Sequence, residues 1–148
     1  MKIYLDTSVI SALFDDRNPE RKALTQEFFS QMIVYSLFIS ELTIAEIERT
    51  PDHKLRQKMR EVIEDFSVLE ITKSTAELAE EYVKYGAVPA SYPEDAFHIA
   101  VSVLNEMDYV LSWNFRHIVR RKTRDIVRMI NTIRNLKNIE IITPAELL

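Results

Sequence analysis

Short apolar blocks alternate along the chain with longer stretches in which apolar residues return every three or four positions. The short blocks are Lys2–Leu5, Leu37–Ile39, Val68–Ile71, Tyr109–Leu111 and Ile139–Ile142. Each has the length and β-prone composition of a strand buried on both faces. The longer stretches predict helices. Between Pro19 and Tyr35 the period is kept by Leu24, Phe28 and Met32 with Phe29 and Ile33; beyond Pro51 it is kept by Leu55, Met59, Val62, Ile63 and Phe66. Ser40 reads as the N-cap of a helix through Glu48 with Leu42, Ala45 and Ile47 inward, and Ser74-Thr75-Ala76-Glu77 as a capping box. That second helix should end at Gly86, the only glycine, where a C-cap needs one. Pro89 and Pro93 bracket a loop before a helix over Glu94–Asn105, with Phe97, Ala100, Val101 and Leu104 on one face. Ile126, Met129, Ile130 and Ile133 give a further helix, expected to turn these four residues to the sheet. Thr143-Pro144-Ala145-Glu146 combines a cap, a first-turn Pro and an acid. Strands alternating with helices specify an α/β protein whose mostly parallel sheet, of about five strands, is covered on both sides. With 148 residues and no internal repeat, low-complexity tract or linker, a single domain over residues 1–148 is expected.

Composition narrows the chemistry. The chain is 47% hydrophobic and 28% charged, the balance of a soluble globular protein. It has no cysteine, which excludes disulfides, thiolate metal sites and cysteine nucleophiles and agrees with a cytoplasmic location. No apolar run reaches the roughly 18 residues a membrane helix needs, and Asp6 interrupts the N-terminus too early for a signal peptide. The net charge of −4 argues against a polyanionic partner until its distribution is read. Arg116 to Lys137 holds eight Lys/Arg against one acid, a local +7, so the remainder carries −11. Such asymmetry offers phosphates a local surface, or else a solvated helix face.

In a parallel α/β sheet, ligands bind beyond the carboxyl ends of the strands. Asp6 directly follows the first strand, Glu46 lies about two turns into the helix after the second, and Asp95 sits in the first turn of the helix before the fourth. Asn114 comes three residues after that fourth strand. Gathered oxygen donors suit Mg²⁺ or Mn²⁺, and carboxylates without a cation repel one another and take up protons more readily. A bound divalent ion activates water and stabilises charge on a phosphoryl group, as phosphodiester hydrolysis requires. Each acid also has a plainer use: Asp6 as a helix cap, Asp95 as a complement to a helix N-terminus, Glu46 as a solvated neighbour of Glu41 and Glu48.

At these residues the chain resembles the PIN-domain family, and within it the VapC-type toxins of toxin–antitoxin pairs. The likeness is carried by Tyr4-Leu5-Asp6-Thr7-Ser8-Val9-Ile10, by Ile39-Ser40 with Ile44-Ala45-Glu46-Ile47, by Asp95-Ala96-Phe97-His98-Ile99-Ala100, and by Tyr109-Val110-Leu111-Ser112-Trp113-Asn114-Phe115. The resemblance implies a three-layer α/β/α fold, Mg²⁺- or Mn²⁺-dependent RNA cleavage, an antitoxin partner and a homodimer. It implies that Asp6, Glu46 and Asp95 hold the metal, with Asn114 as a fourth site residue and Ser8 and Ser112 supporting the acids. Asn114 departs from the acid common at its position; lacking that charge, it favours one metal over two.

Around this core, Arg116, Arg120, Arg121 and Lys122 are expected to hold RNA phosphates, with Arg124 and Arg128 also free to reach solvent. Tyr92 and Trp113 are candidates for stacking on a base or for packing at the site rim. His98 is expected to be structural, and His117 to be a surface helix residue with a lesser claim on phosphate. Large apolar residues over Leu24–Ile33 and Leu55–Phe66 suggest a groove for a partner's amphipathic segment. A haloacid-dehalogenase-like phosphatase would need a second acid where Ser8 stands. The remaining alternative is a PIN-like module that binds RNA or protein without cutting.

Overall fold

The computed structural model describes residues 1–31 and 34–148. Five strands, β1 (Lys2–Leu5), β2 (Ser36–Ser40), β3 (Ser67–Leu69), β4 (Tyr109–Leu111) and β5 (Glu140–Ile142), form one sheet in the order β3-β2-β1-β4-β5. Every pairing is parallel. The helices are α1 (Thr7–Ala12), α2 (Pro19–Ser30), α3 (Glu41–Glu48), α4 (His53–Ile63), α5 (Lys73–Lys84), α6 (Pro93–Leu104) and α7 (Arg121–Ile133), followed by a 3₁₀ turn over Pro144–Leu147.

Side-chain alternation along the strands sorts these helices into two layers. Ile3 and Leu5 of β1, with Leu37, Ile39 and Leu111, bury one face against Val9, Ile10, Phe28, Ile47 and Met59 of α1 to α4. Tyr4, Val110 and Ile141 bury the other face against α5, α6 and α7, through Leu78, Tyr82, Ile99, Ala100, Val127 and Ile130. The result is the three-layer α/β/α arrangement. Strands connect leftward from β1 through β2 to β3 and rightward through β4 to β5, so the order reverses beside β1. The crevice between the carboxyl ends of β1 and β4 is therefore the place where such a sheet accepts a ligand.

Several caps match the sequence reading. Ser40 and Thr43 form the capping box of α3, and Thr143 with Glu146 caps the final turn. Gly86 takes φ +82° after α5; its N–H bonds Val83 O and the N–H of Ala87 bonds Tyr82 O, the paired bonds of a Schellman ending.

Other expectations needed correction. The box opening α5 is Thr72 with Thr75, not Ser74 with Glu77. Helix α1 was not expected, because Thr, Ser, Val and Ile are weak helix formers; burial of Val9 and Ile10 overrides that preference. In α3, Ala45 is exposed and Thr43 takes the inner position beside Ile47. Helix α2 stops at Ser30, and Met32 and Ile33 lie outside the described residues.

The largest correction concerns α7. Its buried positions are Thr123, Val127, Ile130 and Asn131, while Met129 and Ile133 are 46% and 77% exposed. Polar anchors set this rotation. Thr123 Oγ1 lies 2.7 Å from the carbonyl oxygens of both Ala87 and His117, and Tyr82 donates to Asn131 Oδ1 at 2.5 Å. Counting only apolar residues misses a core face built partly from Thr and Asn. Arg124 is correspondingly not free, since its Nε donates to Ile141 O at 2.9 Å and covers the edge strand.

Candidate active site

Asp6 enters the crevice at the end of β1, where its N–H bonds Leu111 O of β4 at 3.1 Å. It occupies the N-cap position of α1, yet its side chain makes no capping bond. Its two oxygens instead accept from two serines: Oδ1 from Ser8 Oγ at 2.5 Å and Oδ2 from Ser112 Oγ at 2.7 Å. Those hydroxyls are in turn fixed by backbone, Ser8 accepting from Trp113 N–H and Ser112 from Asn114 N–H, each at 2.9 Å. The two residues suggested as supports thus clamp Asp6 between α1 and the segment after β4.

Glu46 reaches the same crevice from α3. Its Oε1 accepts from Thr7 Oγ1 at 2.9 Å and from His98 Nε2 at 2.6 Å. His98, on α6, is buried and meets the Tyr4 hydroxyl through Nδ1 at 2.6 Å. Tyr4 continues to Ser40 Oγ at 2.8 Å. A buried hydrogen-bonded chain therefore runs from the cap of α3 through β1 and α6 back to the Glu46 carboxylate. Oε2 of Glu46 has no hydrogen-bond partner among the described residues.

Asp95, third residue of α6, does not bond its own helix terminus. Its Oδ2 pairs with His117 Nδ1 at 2.8 Å, and the two side chains are each 16% exposed. His117 lies in a turn before α7, not on a helix surface as expected. Asn114 shapes that turn: its Oδ1 accepts the backbone N–H groups of Arg116 and His117 at 3.1 and 3.0 Å. The sequence reading gave Asn114 a direct place among the site's oxygen donors; here its amide oxygen holds the His117 turn.

Burial pushes the Asp6 and Asp95 carboxyls above the ordinary range. For Asp6 the opposing effects of His98 and the two serines are smaller, and for Asp95 so are the hydrogen bond and charge of His117. Burial also acts on Glu46, but the hydrogen bond and charge of His98, with Thr7, outweigh it and hold Glu46 low. Burial disfavours charge on His98, yet Tyr4, Glu46 and Asp6 together raise it well above the usual imidazole range. His98 bridges Glu46 through Nε2 and the Tyr4 hydroxyl through Nδ1, and in its charged form both ring nitrogens donate.

Among the described residues, no three acidic or imidazole side chains already converge as a ready set of metal ligands. The donor chemistry nonetheless fits a hard divalent ion, which needs only one or two carboxylates and keeps several waters. Oε2 of Glu46 and Oδ1 of Asp95 have no hydrogen-bond partner among the described residues, and Asp6 offers the lone pairs its serines leave.

The basic residues divide. Arg116 is exposed, Arg121 has a 93% exposed side chain with a loose 3.6 Å pair to Asp125, and Lys122 is exposed over Gly86. Arg120 is half-buried, donating to Ala87 O at 3.1 Å and to Thr123 Oγ1 at 2.8 Å. The aromatics divide as well. Trp113 is buried, its Nε1 donating to Thr25 Oγ1 at 2.9 Å, whereas Tyr92 is 52% exposed. Between α2 and α4, where a partner groove was suggested, Phe29 stacks on Phe66 beside a cavity of about 620 Å³ that Tyr35 and Leu37 help line.

Thr7 and Tyr4 were not anticipated in the site. Tyr4 precedes Asp6 by two residues, the strand period, and His98 follows Asp95 by one helical turn; both spacings were available as signals. Nothing local distinguished Thr7.

A parallel α/β sandwich with acids drawn from three separated segments into its switch-point crevice is the class of protein these features define. The chain belongs to the PIN domain family, whose model matches residues 3–120. Among solved structures it resembles VapC20 of Mycobacterium tuberculosis, described as a sarcin-ricin loop cleaving toxin. The TM-score is 0.62 at 18% identity, covering 78% of this chain and 92% of that one. It also resembles VapBC2 of Rickettsia felis, solved bound to a DNA fragment from its promoter. There the TM-score is 0.57 at 11% identity, covering 95% of this chain and 97% of that one. No curated protein matches the sequence. No helix among the described residues is long and apolar enough to cross a membrane.

Proposed function

We propose that this protein is a Mg²⁺- or Mn²⁺-dependent endoribonuclease, the toxin of a type II toxin–antitoxin pair, acting in the cytoplasm as a homodimer. One observation carries the reading: Asp6, Glu46 and Asp95, from three distant segments, come near enough for the Glu46 charge to act on both aspartates, and each is held by side chains rather than left to solvent. RNA as substrate and an antitoxin as partner are supported by PIN family membership and by the likeness to the loop-cleaving VapC20 and to VapBC2.

A divalent ion in this crevice would polarise a phosphoryl oxygen and lower the pKa of water. Asp6, Glu46 and Asp95 are the residues to hold it. Ser8 and Ser112 keep the Asp6 oxygens in place, Thr7 and His98 leave one Glu46 oxygen without a hydrogen-bond partner among the described residues, and His117 does the same for Asp95. The test is turnover of a generic RNA in Mn²⁺ with a chelator control. Cleavage that chelation stops is expected; a folded protein that binds RNA and never cuts it supports the non-cutting module instead. Because burial raises Asp6 and Asp95, ion binding must displace protons from them wherever they are protonated. Calorimetry should therefore find divalent affinity rising with pH through that raised range and levelling off once both acids are ionised.

A site lined with acids needs cations nearby to retain a polyanion. Arg116, Arg121 and Lys122 are exposed cations that would do so, while Arg120 holds the Ala87 loop. The double variant Arg116→Glu/Arg121→Glu should weaken RNA binding about tenfold and flatten its salt dependence by about two phosphate contacts, with divalent affinity unchanged. Equal binding across a salt titration would reduce these residues to a solvated face.

A further inference from the structure

We infer that Tyr92 and His117 form a stacking subsite for the nucleobase of a nucleotide adjoining the scissile phosphate, an inference that rests on the ribonuclease reading above. Tyr92 is the N-cap of α6 and Asp95 its third residue, so one helical turn carries both. That turn is closed by the Asp95 N–H to Tyr92 O bond at 3.2 Å. His117 clamps the pair from across the crevice. Its Nδ1 lies 2.8 Å from Asp95 Oδ2, while its ring centroid lies 4.5 Å from that of Tyr92, the planes 36° apart. One side of the phenol is thus held by a side chain that is itself fixed, yet Tyr92 remains 52% exposed.

Packing does not explain that exposure. The buried side of α6 starts with Ala96 and continues through His98, Ile99 and Ala100. The loop leading to Tyr92 is also anchored: the Ala87 carbonyl takes Thr123 Oγ1 at 2.7 Å and Arg120 Nη2 at 3.1 Å. An aromatic ring standing half open on rigid supports, one side chain away from a site acid, is a ready platform for a base. Every nucleobase has a π-face, and its neutrality lets it approach carboxylates that repel phosphate. Exposed Arg116, adjacent in sequence to His117, can meet the phosphate of the same nucleotide. Trp113, the other aromatic suggested by the sequence, is buried and bonded to Thr25, which leaves Tyr92 the position. The subsite contributes affinity and positioning; stacking by itself reads base identity weakly.

The experiment uses the full chain in Mn²⁺ and a single-stranded RNA carrying 2-aminopurine, mixed rapidly so that fluorescence quenching is read before cleavage. Tyr92→Ala should abolish the fast quench and raise KM about tenfold, within the range of one lost base–aromatic stack, with a smaller effect on kcat. Its divalent affinity and melting temperature should stay those of the native chain. Tyr92→Phe should restore both the quench and KM, and the new indole of Tyr92→Trp should itself be quenched by RNA. The proposal is overturned if Tyr92→Ala binds within twofold of the native chain with an undiminished quench. It is equally overturned if Phe, Trp and Ala all lower melting temperature and divalent affinity together, since that is a packing role. A native chain that cuts and binds RNA while Tyr92→Ala matches it defeats the subsite alone; a native chain that binds no RNA defeats the ribonuclease reading with it.

Discussion

Asp6→Asn is expected to lower RNA cleavage about a hundredfold or more while leaving the metal-free protein as stable as the native chain, or more stable. The activity loss follows from removing a charged donor where the ion that organises hydrolysis is held. The stability gain follows from burial. Asp6 is 4% exposed, and desolvation raises its carboxyl above the ordinary value despite two serine hydrogen bonds. A raised carboxyl favours the folded state below its unfolded pKa and loses that contribution as pH rises through the raised value. The stability advantage of Asn should therefore grow over that window and then stay constant. Asn keeps one oxygen for Ser8 or Ser112, and the remaining serine oxygen can accept from the amide. Steady-state cleavage in Mn²⁺ and melting curves without divalent ion, from pH 4 upward, check both halves. Native-level cleavage by the folded variant would remove Asp6 from the site; a large loss of melting temperature would mean that the two serines need a charged acceptor to fold.

What the sequence disclosed, and what it hid, has a physical pattern. The strands were legible because β1, β2 and β4 are buried on both faces and so consist of continuous apolar runs. The acids were legible because strand and helix boundaries place Asp6, Glu46 and Asp95 near one sheet edge whatever the details of packing. Polar partners bridging distant segments were not legible. His98 reaches Glu46 across 52 positions and Ser112 reaches Asp6 across 106, and no local period encodes either contact. Helix α7 was misread for a related reason. Its core face includes Thr123 and Asn131, each buried because a specific partner awaits it, so a hydrophobic count rotates the helix away from its true face. His117 was misplaced because the chain from Asn114 to Arg120 is not yet helix; the Asn114 amide oxygen holds a turn there that directs the imidazole to Asp95.

Removal of His98 should damage stability and activity together, in a ratio that separates it from an ordinary core residue. His98→Ala is expected to cost about 3 kcal/mol, within the range for breaking a buried charged pair. For a chain of this length that is a fall of about 10 °C in melting temperature. The cost has two sources. Glu46 loses its shortest donor while remaining largely out of water, and the Tyr4 hydroxyl loses one of its partners, keeping Ser40. Tyr4→Phe supplies the comparison, because it removes the hydroxyl and leaves the His98–Glu46 contact in place. The hydroxyl bonds both His98 and Ser40, at about 1 kcal/mol net for each bond, so Tyr4→Phe should fall about 6 °C and keep most of its activity. In His98→Ala the Glu46 carboxylate retains only Thr7 as a side-chain donor and is free to rotate, so kcat should drop about tenfold beyond any unfolding. Divalent affinity, measured below the melting transition, should fall with it. His98→Gln places an amide donor near Glu46 and should recover part of the divalent affinity without recovering full stability. Should His98→Ala lose stability yet bind divalent ions as the native chain does, His98 would be a packing residue and Thr7 alone would orient Glu46.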